Sequence, residues 1–265
     1  MQEIFKTRLI ADRIWSIDGP ANDLMYLVEG NQKAMLVDTG MGIGDLFNEI
    51  SAITNLPLIV VNTHGHPDHA GGNPNFSEVW LSSKDLSIMR SMCSDKYRVK
   101  DLKSFNEEQS HVYQSLIKMI PYKEVLIHSI YNGQIFDLGN RQFEVVEMPG
   151  HTPGCVGFLN KQEKIFFTGD TIVKTPVWLY LDHSLPFHVY LQTLHAVQDR
   201  ENEFDTILPG HNPTPLGKEI FHQILQCAEE IHNHRGIGEL TATFAGEGHL
   251  WRFEDASIIY NPENW

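Results

Sequence analysis

Cysteine is scarce in this 265-residue chain: three residues, Cys93, Cys155 and Cys227, widely spaced and odd in number. That pattern excludes a disulfide framework and a CxxC-type thiolate site, and leaves a reducing cytoplasm as the expected compartment. Long apolar runs are missing as well. None nears the roughly 20 residues that span a bilayer. The opening M-Q-E-I-F-K-T-R-L-I also lacks the basic, apolar and small-residue zones of an export signal. Positive charge is short too, with 20 Lys+Arg against 34 Asp+Glu and a formal net charge of −14. So acidic a chain has no electrostatic basis for gripping a nucleic-acid backbone. The expected partner is therefore a small molecule, with neither nucleic acid nor a membrane. Repeats, low-complexity tracts and linkers are absent, so a single domain over residues 1–265 is expected.

Histidine is what the chain has in excess, at 14 residues. Four metal-competent side chains, His64, His66, Asp68 and His69, fall within six residues, directly after the apolar run Leu58-Ile59-Val60-Val61. Imidazole and carboxylate together suit zinc and other first-row divalent cations.

The surrounding pattern is one of short strands alternating with helices. Strands are expected at residues 13–17, 24–28, 34–37 and 58–61, with the second and third joined as a hairpin. Helical spacing covers residues 42–54, where Ile43, Leu46, Phe47 and Ile50 share a face. Residues 82–92 and 104–120 have helical character, separated by a charged stretch at 94–103. Further strands are expected at 125–127, 142–148, 155–159, 164–168, 206–208, 240–244 and 249–253. Helices are expected at 186–200 and from residue 216 to about 232.

Four of these strands end in the same way. Val61 leads to the histidine cluster, Met148 to Pro149-Gly150-His151, Phe167 to Gly169-Asp170, and Leu208 to Pro209-Gly210-His211. Loops at strand ends, held by a rigid sheet, are where catalytic groups gather. Within the first cluster, His64 and His66 can project to one side and suit one metal. Asp68 and His69 lie beyond the Pro67 bend and can serve a second.

The segment T-H-G-H-P-D-H-A-G-G resembles the H-x-H-x-D-H signature of the metallo-β-lactamase superfamily. P-G-H-T-P-G, T-G-D-T and P-G-H-N resemble its remaining ligand motifs in the same order, and L-V-D-T-G occurs early in the chain. The resemblance implies an α/β fold, a four-layer αββα sandwich with metals at one edge of two facing mixed sheets. Carried over, His64, His66 and His151 would bind one metal, Asp68, His69 and His211 a second, and Asp170 would bridge them. Residues 83–122 would form a helical insertion, acting as a lid or pairing two subunits as a homodimer.

The activity so implied is a binuclear metal-dependent hydrolase, with metal-bound hydroxide attacking an ester, thioester or lactone carbonyl. Zinc leads as the cofactor, with iron or manganese compatible with the same donors. Asp68 is the expected proton handler beside the nucleophile. Asp38 is expected behind the ligands, bonded to the histidine loop or to an imidazole. Tyr180 and His183 are candidate substrate contacts. His66 in place of glutamate is unlike the flavin-associated di-iron branch, and Asp170 in place of cysteine is unlike the common lactamases. The set is similar to the hydroxyacylglutathione hydrolase and lactonase branches, although the basic C-terminal cluster that grips glutathione is missing. A phosphodiesterase of this fold, a mononuclear-iron persulfide dioxygenase and a non-catalytic binding protein remain as alternatives.

Overall fold

The computed structural model describes residues 4–102, 118–234 and 237–265. The chain divides into two compact units, Met1–Gln142 and Phe143–Trp265. In the first, an antiparallel meander of β1 (Lys6–Ala11), β2 (Ile14–Asp18), β3 (Leu24–Glu29) and β4 (Ala34–Val37) passes into a parallel run. That run is β5 (Leu58–Val61), β6 (Glu78–Ser82) and β7 (Leu126–Ile130), giving one seven-stranded sheet in sequential order. Parallel strands covered on both faces read as continuous apolar runs, which is why L-I-V-V shows no alternation. Leu27, Leu36, Val60 and Val79 pack against Leu46 and Ile50 of helix α1 (Leu46–Ile53). A short strand, β8 (Ile135–Asp137), follows β7.

In the second unit, β9 (Gln142–Glu147), β10 (Val156–Asn160) and β11 (Ile165–Gly169) are antiparallel neighbours. β13 (Thr206–Pro209) runs parallel beside β11, with β14 (Leu216–Gly217) at the edge. A second, smaller sheet has the order β12 (Val177–Leu179), β17 (Ala256–Tyr260), β16 (Gly246–Phe253), β15 (Glu239–Thr243). Helices α5 (Phe187–Gln198) and α6 (Glu219–His234) close the core of this unit. From α6, Phe221, Ile224, Ala228 and Ile231 point inward at helical spacing and meet Phe204, Ile207 and Leu194.

Several boundaries depart from the sequence expectation. The helix expected over 42–54 begins only at Leu46, because Gly42 and Gly44 take positive φ and Asp45 caps Asn48 N. Residues 78–82 are a strand, so the helix expected from residue 82 starts later, as α3 (Leu86–Met92). The charged stretch is itself a helix, α4 (Asp95–Leu102), whose inward residues are Arg98 and Leu102. The Arg98 guanidinium is fully buried and donates to the carbonyls of Met41, Gly71 and Ile120 at 3.0, 3.1 and 2.6 Å. The 216–232 helix starts at Glu219, since Leu216–Gly217 pairs with β13. Of the expected 104–120 helix, residues 104–117 lie outside the described residues. Among the described residues no helix is long and apolar enough to cross a membrane.

Candidate metal centre

The first donor set belongs to the first unit and is built at the end of β5. Strand β4 pairs with β5 in parallel, so Asp38, after β4, comes to the level of Thr63, after β5. Asp38 Oδ1 accepts from Thr63 N at 2.7 Å, and Oδ2 accepts from Thr63 Oγ1 at 2.8 Å. Asp38 sits at φ +63, a left-handed conformation that Asp and Asn tolerate better than other side chains. Pro67 then opens a single helical turn, α2 (Pro67–Ala70), with the locked φ that suits a first helical position. Ala70 N returns to His66 O at 2.8 Å. The following Gly-Gly is required by close approach, since a Cβ on Gly72 would lie 2.1 Å from Thr39 O.

Hydrogen bonds fix the imidazole tautomers. Because the Thr63 hydroxyl donates to Asp38, it can only accept from His64 Nδ1, 3.1 Å away. Asp38 Oδ2 likewise accepts from His69 Nδ1 at 2.8 Å. The lone pairs of His64 and His69 therefore sit on Nε2, the arrangement of an imidazole whose other nitrogen is held for metal binding. His66 Nδ1 lies 3.0 Å from His64 Nε2, and Asp68 Oδ2 lies 3.6 Å from His69 Nε2. Two nitrogens about 2.0–2.1 Å from a tetrahedral zinc stand roughly 3.3 Å apart, so the first pair has the right separation to share one cation. His64 with His66, His64 with His69, and Asp68 with His69 each bring a ligand atom within 4.8 Å of the other's.

The second donor set belongs to the second unit. β11 and β13 run parallel with Gly169 opposite Pro209, and Gly210 N donates to Gly169 O at 2.9 Å. Asp170 and His211, the next residue in each case, are thereby neighbours, with His211 Nε2 3.4 Å from Asp170 Oδ2. His151, beyond β9, brings its Nε2 to 3.6 Å from the same oxygen. Its Nδ1 donates to the main-chain carbonyl of Trp178 at 2.7 Å, which again leaves the lone pair on Nε2. Ser184 Oγ donates to His151 O at 3.0 Å. The donor chemistry fits a hard-to-borderline divalent cation in both units: imidazoles, those of His64, His69 and His151 held at Nδ1 by a protein oxygen, with carboxylates beside them.

Of the two candidate substrate contacts, the Tyr180 hydroxyl is engaged with Thr243 Oγ1. His183 is half-buried; burial and the neighbouring His151 push its imidazole down to about 4, so it is neutral at pH 7. Sequence reasoning missed three supports. Thr63 sets the His64 tautomer, the buried Asp85 accepts from Gly65 N at 2.9 Å, and Trp178 acts through its carbonyl. Thr63 and Asp85 are polar residues beside the ligand loop and beside a helix start, a weak signal. A carbonyl acceptor leaves none.

A sequence model described as the Metallo-beta-lactamase superfamily matches residues 19–211. The chain belongs to the metallo-β-lactamase superfamily. It is a metal-dependent hydrolase of that superfamily. Among similar proteins, the Acyl-coenzyme A thioesterase MBLAC2 of Gallus gallus is 27% identical over 217 residues, 76% of each chain. The Hydroxyacylglutathione hydrolase GloC of Haemophilus influenzae is 26% identical over 152 residues, 54% of this chain and 63% of the other. A metallo-beta-lactamase from Pontibacter korlensis superposes with a TM-score of 0.64 at 18% identity, covering 85% of this chain and 99% of that one. At that identity the superposition establishes the superfamily's fold, of the α/β class, and nothing finer.

Proposed function

We propose that the two donor sets belong to one binuclear centre and that the enzyme hydrolyses thioesters, with esters and lactones as the competing carbonyl substrates. His64, His66 and His151 hold the first cation, Asp68, His69 and His211 the second, and Asp170 bridges. The observation that carries this reading is the tautomer pattern: His64, His69 and His151 each give Nδ1–H to a protein oxygen and keep Nε2 as the donor. It is supported by the reach of the family match, which spans all seven residues. Two relatives bear the names of thioester hydrolases, which favours that class over the others.

Bound there, two divalent cations, zinc before iron or manganese, would supply a hydroxide-strength nucleophile near neutral pH and polarise the scissile carbonyl. Asp68 holds the proton released from water at its carboxylate and returns it to the departing sulfur, so that water and thioester become carboxylic acid and thiol. Asp38 keeps the His69 ring in register through Nδ1, and the Trp178 carbonyl does the same for His151. The setting proposed is the cytoplasm, with a small-molecule substrate and no nucleic-acid or membrane partner.

Metal analysis of the purified protein, followed by a panel of thioesters, lactones and bis-aryl phosphates, tests the reading. Two metal ions per chain and fastest turnover of thioesters is the expected result. One iron per chain with oxygen uptake, or turnover confined to the phosphodiesters, overturns it. Asp170→Ala should lower both metal content and turnover; an unchanged metal content would refute the bridging role.

A further inference from the structure

Three aromatic side chains follow one another next to His151, and none of them takes part in the chemistry described so far. Trp178 stands in the middle, its ring centroid 5.3 Å from that of Phe244 and 5.5 Å from that of Tyr180. The row is tied to the donor set at its middle member, because the backbone of Trp178 accepts the His151 Nδ1 bond. Strand alternation explains the placement: Val177 and Leu179 of β12 enter the core of the second unit, leaving Trp178 on the opposite face. Tyr180 is fixed from below. Its ring lies over Gly246 and Gly248 of β16, where a Cβ on Gly248 would come within 2.8 Å of the Tyr180 Cγ. Its hydroxyl is tied to Thr243. At the outer end, Phe244 occupies the turn between β15 and β16 and stays 55% exposed while touching Trp178. The result is a graded apolar surface, buried at Tyr180, half-buried at Trp178 and open at Phe244.

We propose that Tyr180, Trp178 and Phe244 form the wall along which the acyl chain of the substrate lies, so that the enzyme prefers medium-length apolar acyl groups to short ones. This rests on the carbonyl-hydrolase reading above and adds to it the acyl side of the specificity. Covering the rings with a chain removes apolar surface from water on both partners, and each buried methylene favours binding by roughly threefold to fourfold. Two polar atoms of the row are engaged, the Tyr180 hydroxyl with Thr243 and the Trp178 carbonyl with His151, and the indole Nε1–H of Trp178 is the remaining polar atom of the three side chains. Apart from that one N–H the three side chains offer ring carbons, a surface suited to an alkyl chain.

The test is a series of straight-chain acyl thioesters of one thiol, from acetyl to decanoyl, assayed with the metal-loaded enzyme. The wild type should show kcat/KM rising by about tenfold for each added pair of methylenes before levelling off. Phe244→Ser, at a turn position that is 55% exposed, should cut the octanoyl-to-acetyl ratio of kcat/KM at least tenfold. Phe244→Leu should restore most of it. Leu9→Ser, an exposed apolar position on β1, serves as the control and leaves the series as it is. A flat series in the wild type, or one that Phe244→Ser leaves unaltered, overturns the proposal. A separate readout uses chelator-treated protein and decanoate, followed by tryptophan fluorescence. Saturable binding weakened by Phe244→Ser is expected, and no binding counts against the wall. Absence of turnover with every thioester would refute the thioester reading, and the decanoate titration would still decide on the wall.

Discussion

Replacing Asp38 by asparagine exchanges one carboxylate oxygen for an amide nitrogen and leaves the shape of the side chain alone. Asn also tolerates the positive φ found there, so backbone strain does not enter the comparison. What changes is the hydrogen bonding. Oδ2 of Asp38 receives two donors, Thr63 Oγ1 and His69 Nδ1, both at 2.8 Å, while Oδ1 receives Thr63 N at 2.7 Å. An amide keeps one acceptor for Thr63 N and sets two hydrogens against the other two donors. The hydroxyl of Thr63 must then turn away, or His69 must move its proton to Nε2, where a metal would have to displace it. A hydrogen bond to a charged group contributes about 1.5–3 kcal/mol. Loss of a carboxylate behind a ligand histidine lowers metal affinity by roughly 10- to 100-fold, the same range at ~1.4 kcal/mol per factor of ten. Competition with a chromophoric chelator should show that drop. Urea unfolding of the metal-free protein should lose about 2 kcal/mol. If Asp38→Asn binds metal within twofold of the wild type, the carboxylate does not set the His69 tautomer and the reasoning fails.

Other outcomes follow from the same geometry. Gly72→Ala places a methyl 2.1 Å from Thr39 O, and neither side is a flexible side chain, so the loop must shift. A loss of about 2–4 kcal/mol in urea unfolding is expected, and a neutral result would refute the close-approach argument. Burial, with the Asp68 charge second, raises the Asp101 carboxyl to about 7, well above its ordinary range. Below pH ~4 the acid is protonated in both folded and unfolded chains and does no harm. As pH rises towards 7 only the unfolded chain ionises freely, so stability falls, by a few kcal/mol at most. Asp101→Asn in chelator-treated protein should flatten that decline between pH 4 and 7; an unchanged pH profile would show that the carboxyl ionises without cost.

The strands that lead to the candidate donors were legible because each is a short apolar run that gives way to a short loop holding Gly or Pro and a donor. Val61, Met148, Phe167 and Leu208 mark those ends in the sequence, and β5, β9, β11 and β13 lead to them in the structure. Helix α4 was not legible. Its inward face presents Arg98, and a guanidinium that satisfies three carbonyls looks in a sequence like one more surface charge. The start of α1 was masked for a different reason, since Ile43 continues the apolar period while Gly42 and Gly44 take conformations that a helix excludes. The second donor set depends on the parallel pairing of β11 with β13, a contact between strands some forty residues apart that periodicity cannot reveal.

Trp178 serves two ends at once, its carbonyl holding His151 and its ring meeting Phe244 and Tyr180. The two duties reside in different parts of one residue. Any amino acid at position 178 supplies the carbonyl, so the indole can be exchanged without untying the histidine. Drift at this position can therefore retune which molecules the protein accepts while the reactive apparatus stays intact, a separation that lets new substrate ranges arise by single substitutions.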